Sequence, residues 1–148
     1  MKKILAMLLV VLGLSASANA QSFGVKFIGV QYNTFDPGRG TGLQIALSTF
    51  FVSTDLEVNY LIGRTYLDTA KDFSLFYGAG GHVGFLGFFG IGGVFGVGAH
   101  GVIGLEYLLQ PSISIGVSVH PGVTFYFGNG GAFPFFYYNG GLFINFRI

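Results

Sequence analysis

Cysteine and tryptophan are absent from the 148 residues, proline occurs four times, and only 9% of the side chains are charged. Without cysteine there is no disulfide framework and no lipidated N-terminal cysteine of a lipoprotein. Disordered chains are rich in charge and poor in aromatics, which 18 phenylalanines and 8 tyrosines contradict. The 26 glycines follow no strict triplet period, so a collagen-like chain is excluded as well. Soluble domains carry about 25% charged residues, and a surface this short of charge is poorly matched to water. Lipid is the expected solvent. The few basic residues form no stripe, which argues against a nucleic-acid partner.

The first residues have the three parts of a secretory signal: Lys2 and Lys3, an apolar run from Ile4 to Leu14, and the small-residue exit Ala18-Asn19-Ala20. The apolar run is too short for a spanning helix, which needs about 20 residues. Export by the general secretory route with cleavage after Ala20 is therefore expected, giving two parts: a signal peptide, residues 1–20, and a single domain, residues 21–148. Cleavage there removes two lysines from a chain of net charge +1 and leaves a nearly neutral remainder.

Period two dominates that remainder. In Ser112 to Phe127, Ile113, Ile115, Val117, Val119, Val123, Phe125 and Phe127 fall on one face. Ser114, Gly116, Ser118, His120, Gly122, Thr124 and Tyr126 fall on the other. Such alternation specifies a strand. It recurs at Leu56, Val58, Tyr60 and Ile62 against Glu57 and Asn59, and from Val97 to Leu109, where His100, Gly104 and Glu106 share the polar face. It recurs again at the C-terminus, where Leu142, Ile144, Phe146 and Ile148 oppose Gly141, Phe143, Asn145 and Arg147. The face made of Gly, Ser, Asn and His suits a narrow lumen, and the bulky uncharged face suits hydrocarbon. Six strands are expected: Gly42 to Phe51, Asp55 to Gly63, Phe73 to Leu86, Val97 to Leu109, Ser112 to Phe127 and Phe135 to Ile148. The parity slip near Phe27-Ile28 divides the Phe23 to Asn33 segment by a bulge or a turn. If it is a turn, the count is eight. The fold class expected is all-β, a closed antiparallel transmembrane β-barrel of eight strands. A spanning helix over Val83 to Leu105 is disfavoured by its glycine density, since each glycine costs about 1 kcal/mol against alanine. The loops Gly87 to Gly96 and Gly128 to Pro134 fall at the outer end. Arg64 to Asp72 and Phe35 to Thr41 fall in turns at the end that carries the termini, with aromatic clusters such as Phe125 to Phe127 and Phe135 to Tyr138 at the outer interface.

The final strand, Gly140-Gly141-Leu142-Phe143-Ile144-Asn145-Phe146-Arg147-Ile148, resembles the assembly signal of bacterial outer-membrane barrels, although the common terminal Phe is replaced by Ile148. The chain as a whole resembles the small OmpA/OmpX-like eight-stranded barrels. Stretches such as Phe76-Tyr77-Gly78-Ala79-Gly80-Gly81-His82 look like a group of short barrels of diderm bacteria. The resemblance implies a place in the bacterial cell outer membrane, contact with outer-membrane lipid, and engagement of the barrel-assembly machinery through Gly140 to Ile148. It implies little about task, since such barrels include anchors, adhesins, narrow pores and lipid-modifying enzymes.

Residues able to carry chemistry collect on the inward face. His82, His100 and His120 lie on three consecutive strands and could bind a transition metal, or simply fill a tight lumen as hydrogen-bonded polar groups. Glu57 shares that face. Glu106 and Arg147 both project inward near the terminal end, with Lys26 close by, and opposite charges in a poorly hydrated lumen should pair into a plug. Ser118 and His120 stand two apart on one face, but no third group of a catalytic set is identifiable. The Gly96-Val97-Gly98-Ala99-His100-Gly101 match to a dinucleotide fingerprint lies inside a strand, the wrong context. The expectation is a non-enzymatic barrel with a structural, anchoring or surface-interaction role and a plugged lumen, without cofactor or metal. The alternatives are a narrow passive pore for small solutes and a lipid-modifying enzyme.

Overall fold

A computed structural model describes residues 20–26, 29–36, 40–50, 53–67, 69–88, 92–128 and 131–148. Residues 1–19, on which the expected signal peptide falls, the pair Phe27-Ile28 and the tips of several turns lie outside the described residues. Eight strands follow one another: β1 Ala20–Lys26, β2 Gly29–Asp36, β3 Thr41–Phe50, β4 Ser53–Tyr66, β5 Phe73–Phe88, β6 Gly92–Gln110, β7 Ile113–Gly128 and β8 Gly131–Arg147. Each pairs antiparallel with the next, and β8 returns to β1, closing the ring. The parity slip in the first segment is a hairpin, with Lys26 opposite Gly29, and this supplies the eighth strand.

Alternation sorts the side chains as the sequence pattern requires. Outward positions such as Val58, Tyr60, Ile103, Phe125, Leu142 and Ile144 are exposed. Their inward neighbours Glu57, Asn59, Ser114, Ser118, His120 and Thr124 are buried. Large inward side chains stand across from glycine on the adjoining strand: Asn59 opposite Gly80, Phe76 opposite Gly104, His82 opposite Gly98, His100 opposite Gly122, and Glu106 opposite Gly116. An interior this narrow accommodates bulk only where its neighbour has none. A Cβ at Gly98 would lie 2.1 Å from the Val123 carbonyl oxygen and 2.5 Å from the His82 ring. One layer inside is apolar, formed by Leu61, Phe76, Val102 and Phe143, with Phe76 and Phe143 in tilted contact.

Several strands run further than the alternation suggested. β5 continues to Phe88 and β6 begins at Gly92, so most of the expected Gly87 to Gly96 loop is sheet. The hairpin between β7 and β8 is similarly tight, with Gly128 opposite Gly131, so most of the Gly128 to Pro134 loop is sheet too. Glycine-rich and aromatic stretches lack clear alternation, yet the ladder carries through them because neighbouring strands supply the hydrogen bonds. β4 also extends past its expected end at Gly63 to Tyr66, which removes Arg64 from a turn. The β4–β5 register shifts between Leu61 and Gly63, placing Gly63 opposite Tyr77 and Arg64 opposite the inward Phe76. By strict alternation from Glu57, Asn59 and Leu61, residue 64 would face outward. The bulge inverts the phase and turns Arg64 into the lumen.

Candidate functional site: the polar interior

Glu57 on β4 is the centre of the interior. Its Oε1 accepts hydrogen bonds from Tyr137 OH at 3.1 Å and from the Asn139 carboxamide. Its Oε2 accepts from His120 Nδ1 at 2.7 Å and from Asn59 Nδ2 at 3.4 Å. Lys26 Nζ stands 3.7 Å from the same oxygen and His100 Nε2 stands 3.9 Å from it. One carboxylate therefore gathers side chains from β1, β4, β6, β7 and β8. The side chains of Glu57, His100 and His120 have no exposed surface. Tyr137 stacks on His82 at 3.6 Å between ring centroids, and His100 lies parallel to His120 at 5.5 Å.

The hydrogen bonds fix tautomers. A carboxylate only accepts, so His120 carries its proton on Nδ1 and takes the Ser118 hydroxyl at Nε2, 3.1 Å away. The Asn59 carboxamide uses its NH2 group on Gln44 at 2.9 Å, leaving Oδ1 to accept from His100 Nε2 at 2.6 Å. His100 Nδ1 is then the acceptor for His82 Nδ1 at 3.0 Å, and His82 Nε2 accepts from Thr124 Oγ1 at 2.6 Å. From Asn59 the sequence of donors continues in one direction. Asn59 donates to Gln44, Gln44 to Asn33 at 2.9 Å and to Gln31 at 3.4 Å, and Gln31 to Asn145 at 2.7 Å. Asn145 donates to Glu106 Oε1 at 3.2 Å. Amide groups transmit the polarity of this chain but do not readily pass a proton through themselves. It therefore rigidifies the interior without forming a proton wire.

Glu106 ends the chain. It accepts from Ser114, Asn145 and the Arg64 guanidinium, which also stacks over Phe35 at 4.4 Å and Phe76 at 5.5 Å. The expected partnership of Glu106 with Arg147 is thus replaced: the partner is Arg64. Arg147 is exposed at the rim, where its backbone N–H donates to the Ser112 carbonyl at 2.9 Å. Lys26 likewise faces Glu57 and not Glu106. Among the described residues, Glu57, Lys26, His82, His100 and His120 gather in one part of the interior and Glu106 with Arg64 in another. Arg64, Tyr137, Asn139 and the β2–β3 amides are interior residues that the sequence reading did not single out, whereas Asn145 lies on the polar face of the last strand, as expected. For Tyr137 the alternation with Asn139, Gly141 and Phe143 was available. For Arg64 no signal was, because a bulge leaves no mark in composition.

At the terminal end the lumen opens into a vestibule of about 200 Å³ lined by Arg64, Glu106, Phe76, Asn145 and Arg147 among others. Comparison with protein-family models, with curated proteins and with solved structures finds no match. What can be said of chemistry therefore rests on the interior itself. Glu57, His120 and Ser118 stand in the order carboxylate, imidazole, hydroxyl at 2.7 and 3.1 Å, and so supply the third group that spacing alone could not identify. Ser118 is 2% exposed and His120 is fully buried, which leaves no surface at which a substrate carbonyl could meet the hydroxyl.

Proposed function

We propose that this chain is an outer-membrane β-barrel with a structural or anchoring role and a plugged lumen. The observation that carries the reading is the Glu57 layer, fully buried and hydrogen-bonded to opposite walls of a ring whose outward face is apolar. An apolar exterior on a closed ring is the arrangement that hydrocarbon demands, because the backbone is satisfied internally and no edge remains. Export through the signal segment, cleavage after Ala20 and assembly through Gly140 to Ile148 belong to the same reading, as does the resemblance to OmpA/OmpX-like barrels.

Purified protein in detergent should give a β-type far-UV circular dichroism spectrum and migrate differently on gels before and after boiling. In planar bilayers it should give no steady single-channel current. Sustained currents would replace the plugged reading with the narrow pore. A second reading, a lipid-modifying enzyme, is favoured only by the Ser118–His120–Glu57 distances. Covalent labelling of Ser118 by a fluorophosphonate would establish it, and absence of label would remove it.

A further inference from the structure

We propose that Glu57, His100 and His120 form a buried site for a divalent first-row transition ion such as Zn²⁺. The three side chains offer one carboxylate oxygen and two imidazole nitrogens, all within 4.8 Å of one another. Mixed nitrogen and oxygen sets of this kind suit borderline ions. Tetrahedral bonds of about 2.0–2.1 Å put ligand atoms roughly 3.4 Å apart. The His120 Nδ1 to Glu57 Oε2 separation of 2.7 Å and the His100 Nε2 to Oε2 separation of 3.9 Å fall on either side of that value. Small side-chain shifts therefore bring them to it. Asn59 Oδ1, already facing His100 Nε2 at 2.6 Å, completes a set of four.

The surroundings are prepared for the exchange. Metal binding requires lone pairs on His120 Nδ1 and His100 Nε2, so both rings must adopt their other tautomer. His120 can then donate from Nε2 to Ser118, and His100 from Nδ1 to His82 Nδ1, while His82 donates from Nε2 to Thr124. With His82 also in its other tautomer these three contacts survive with their polarity reversed, the hydrogen bonds from His120 to Glu57 and from His100 to Asn59 give way to bonds to the ion, and the number of protons does not change. The far oxygen of Glu57 is held by Tyr137 and Asn139, leaving Oε2 aimed at the histidines. Outer contacts of this type orient ligands in metal sites.

Lys26 is the cation that now stands beside this carboxylate. It is 5% exposed, its Nζ has no hydrogen-bond partner among the described residues, and it stands 3.7 Å from Glu57 Oε2. A buried ammonium held by charge alone is a weak occupant of a place where a divalent ion could make direct bonds. The ion and Lys26 compete for one carboxylate.

The site is enclosed, so loading accompanies folding. The purified protein is unfolded in urea and refolded in detergent with one equivalent of Zn²⁺ or Co²⁺, then desalted. One ion per chain should be retained, and Co²⁺ should show the intense visible bands of a tetrahedral site. His120→Gln should weaken retention by about 100-fold or more. Arg147→Ala, at the exposed rim, should keep the stoichiometry, and Lys26→Met should tighten binding by about tenfold. The proposal is overturned if neither wild type nor Lys26→Met retains metal, or if His120→Gln retains it as well as wild type. Should His120→Gln fail to show the folded band on gels, Lys26→Met decides: weaker binding than wild type also overturns the proposal.

Discussion

Arg64→Ala tests the pairing at the terminal end of the lumen most directly. The Arg64 and Glu106 side chains are 10% and 6% exposed, so the substitution leaves a buried carboxylate with Ser114 and Asn145 as donors and no counter-charge. Removing one member of a buried pair costs about 3–5 kcal/mol, and loss of stacking on Phe35 and Phe76 adds about 0.5–1 kcal/mol for each ring. Arg147 is exposed and makes no ion pair among the described residues, so Arg147→Ala should change stability by no more than about 0.5 kcal/mol. Urea unfolding in detergent distinguishes them. The chain has no tryptophan, and tyrosine fluorescence or circular dichroism supplies the signal. With slopes of about 1–3 kcal/mol per molar urea, Arg64→Ala should lower the midpoint by at least about 1 M, and Arg147→Ala should leave it nearly unchanged. Arg64→Met combined with Glu106→Gln should be more stable than Arg64→Met alone, because the uncompensated charge is gone. Equal effects of the two arginine substitutions, or a larger effect at Arg147, would refute the bulge that carries Arg64 inward.

Glu57→Gln should destabilise by about 3–5 kcal/mol, since it sets an NH2 group among donors and strands Lys26. Adding Lys26→Met should recover part of that loss, and a double variant less stable than Glu57→Gln would argue against the Lys26 contact. Gly98→Ala should cost about 1–3 kcal/mol because its Cβ meets the Val123 carbonyl. Gly101→Ala, whose Cβ meets nothing within 4 Å, should be neutral or gain up to about 1 kcal/mol; the melting temperatures should separate accordingly. Val58→Arg on the outward face should cost about 2–4 kcal/mol in lipid vesicles. A change within about 0.5 kcal/mol there would mean that water, not lipid, surrounds Val58.

Most of the fold was legible because a strand with one polar and one bulky face has a period that composition cannot disguise. β7 shows it best, with Ser114, Ser118, His120 and Thr124 inward and the aliphatics outward. The break at Phe27-Ile28 was legible for the same reason, as a change of phase. What escaped was anything that alters phase without altering composition. The bulge after Leu61 exchanges the two faces of β4 within one residue, so Arg64 reads as a turn charge while facing Glu106. The aromatic run at the start of β8 hides its alternation by being bulky on both faces, and so Tyr137 was placed at an interface and not against His82. The histidines were identified from parity. Their arrangement around Glu57 depends on strand register, which follows from turn lengths and bulges and not from any one strand's pattern.

Closure of the ring and formation of the interior are one event. Among the described residues the ladder between β1 and β8 joins Ser22–Lys26 to Phe143–Arg147 and is short for the seam of a barrel. Side chains reinforce it from within: Gln31 donates to Asn145 at 2.7 Å, Asn33 to Asn145 at 3.3 Å, and Asn139 to Ser48 at 3.4 Å, each crossing from the β2–β3 wall to β8. Glu57 draws three of its donors, His120, Tyr137 and Asn139, from β7 and β8, the far side of the chain. The contacts from β2 and β3 to β8 span the seam, so their partners are brought together when the last strand docks on the first. Until then Glu57 lacks its His120, Tyr137 and Asn139 donors, and if the outward face lies in hydrocarbon, as proposed, little water would be available to replace them. The polar interior therefore penalises open sheets and stabilises the closed ring, which gives the buried charges a structural purpose.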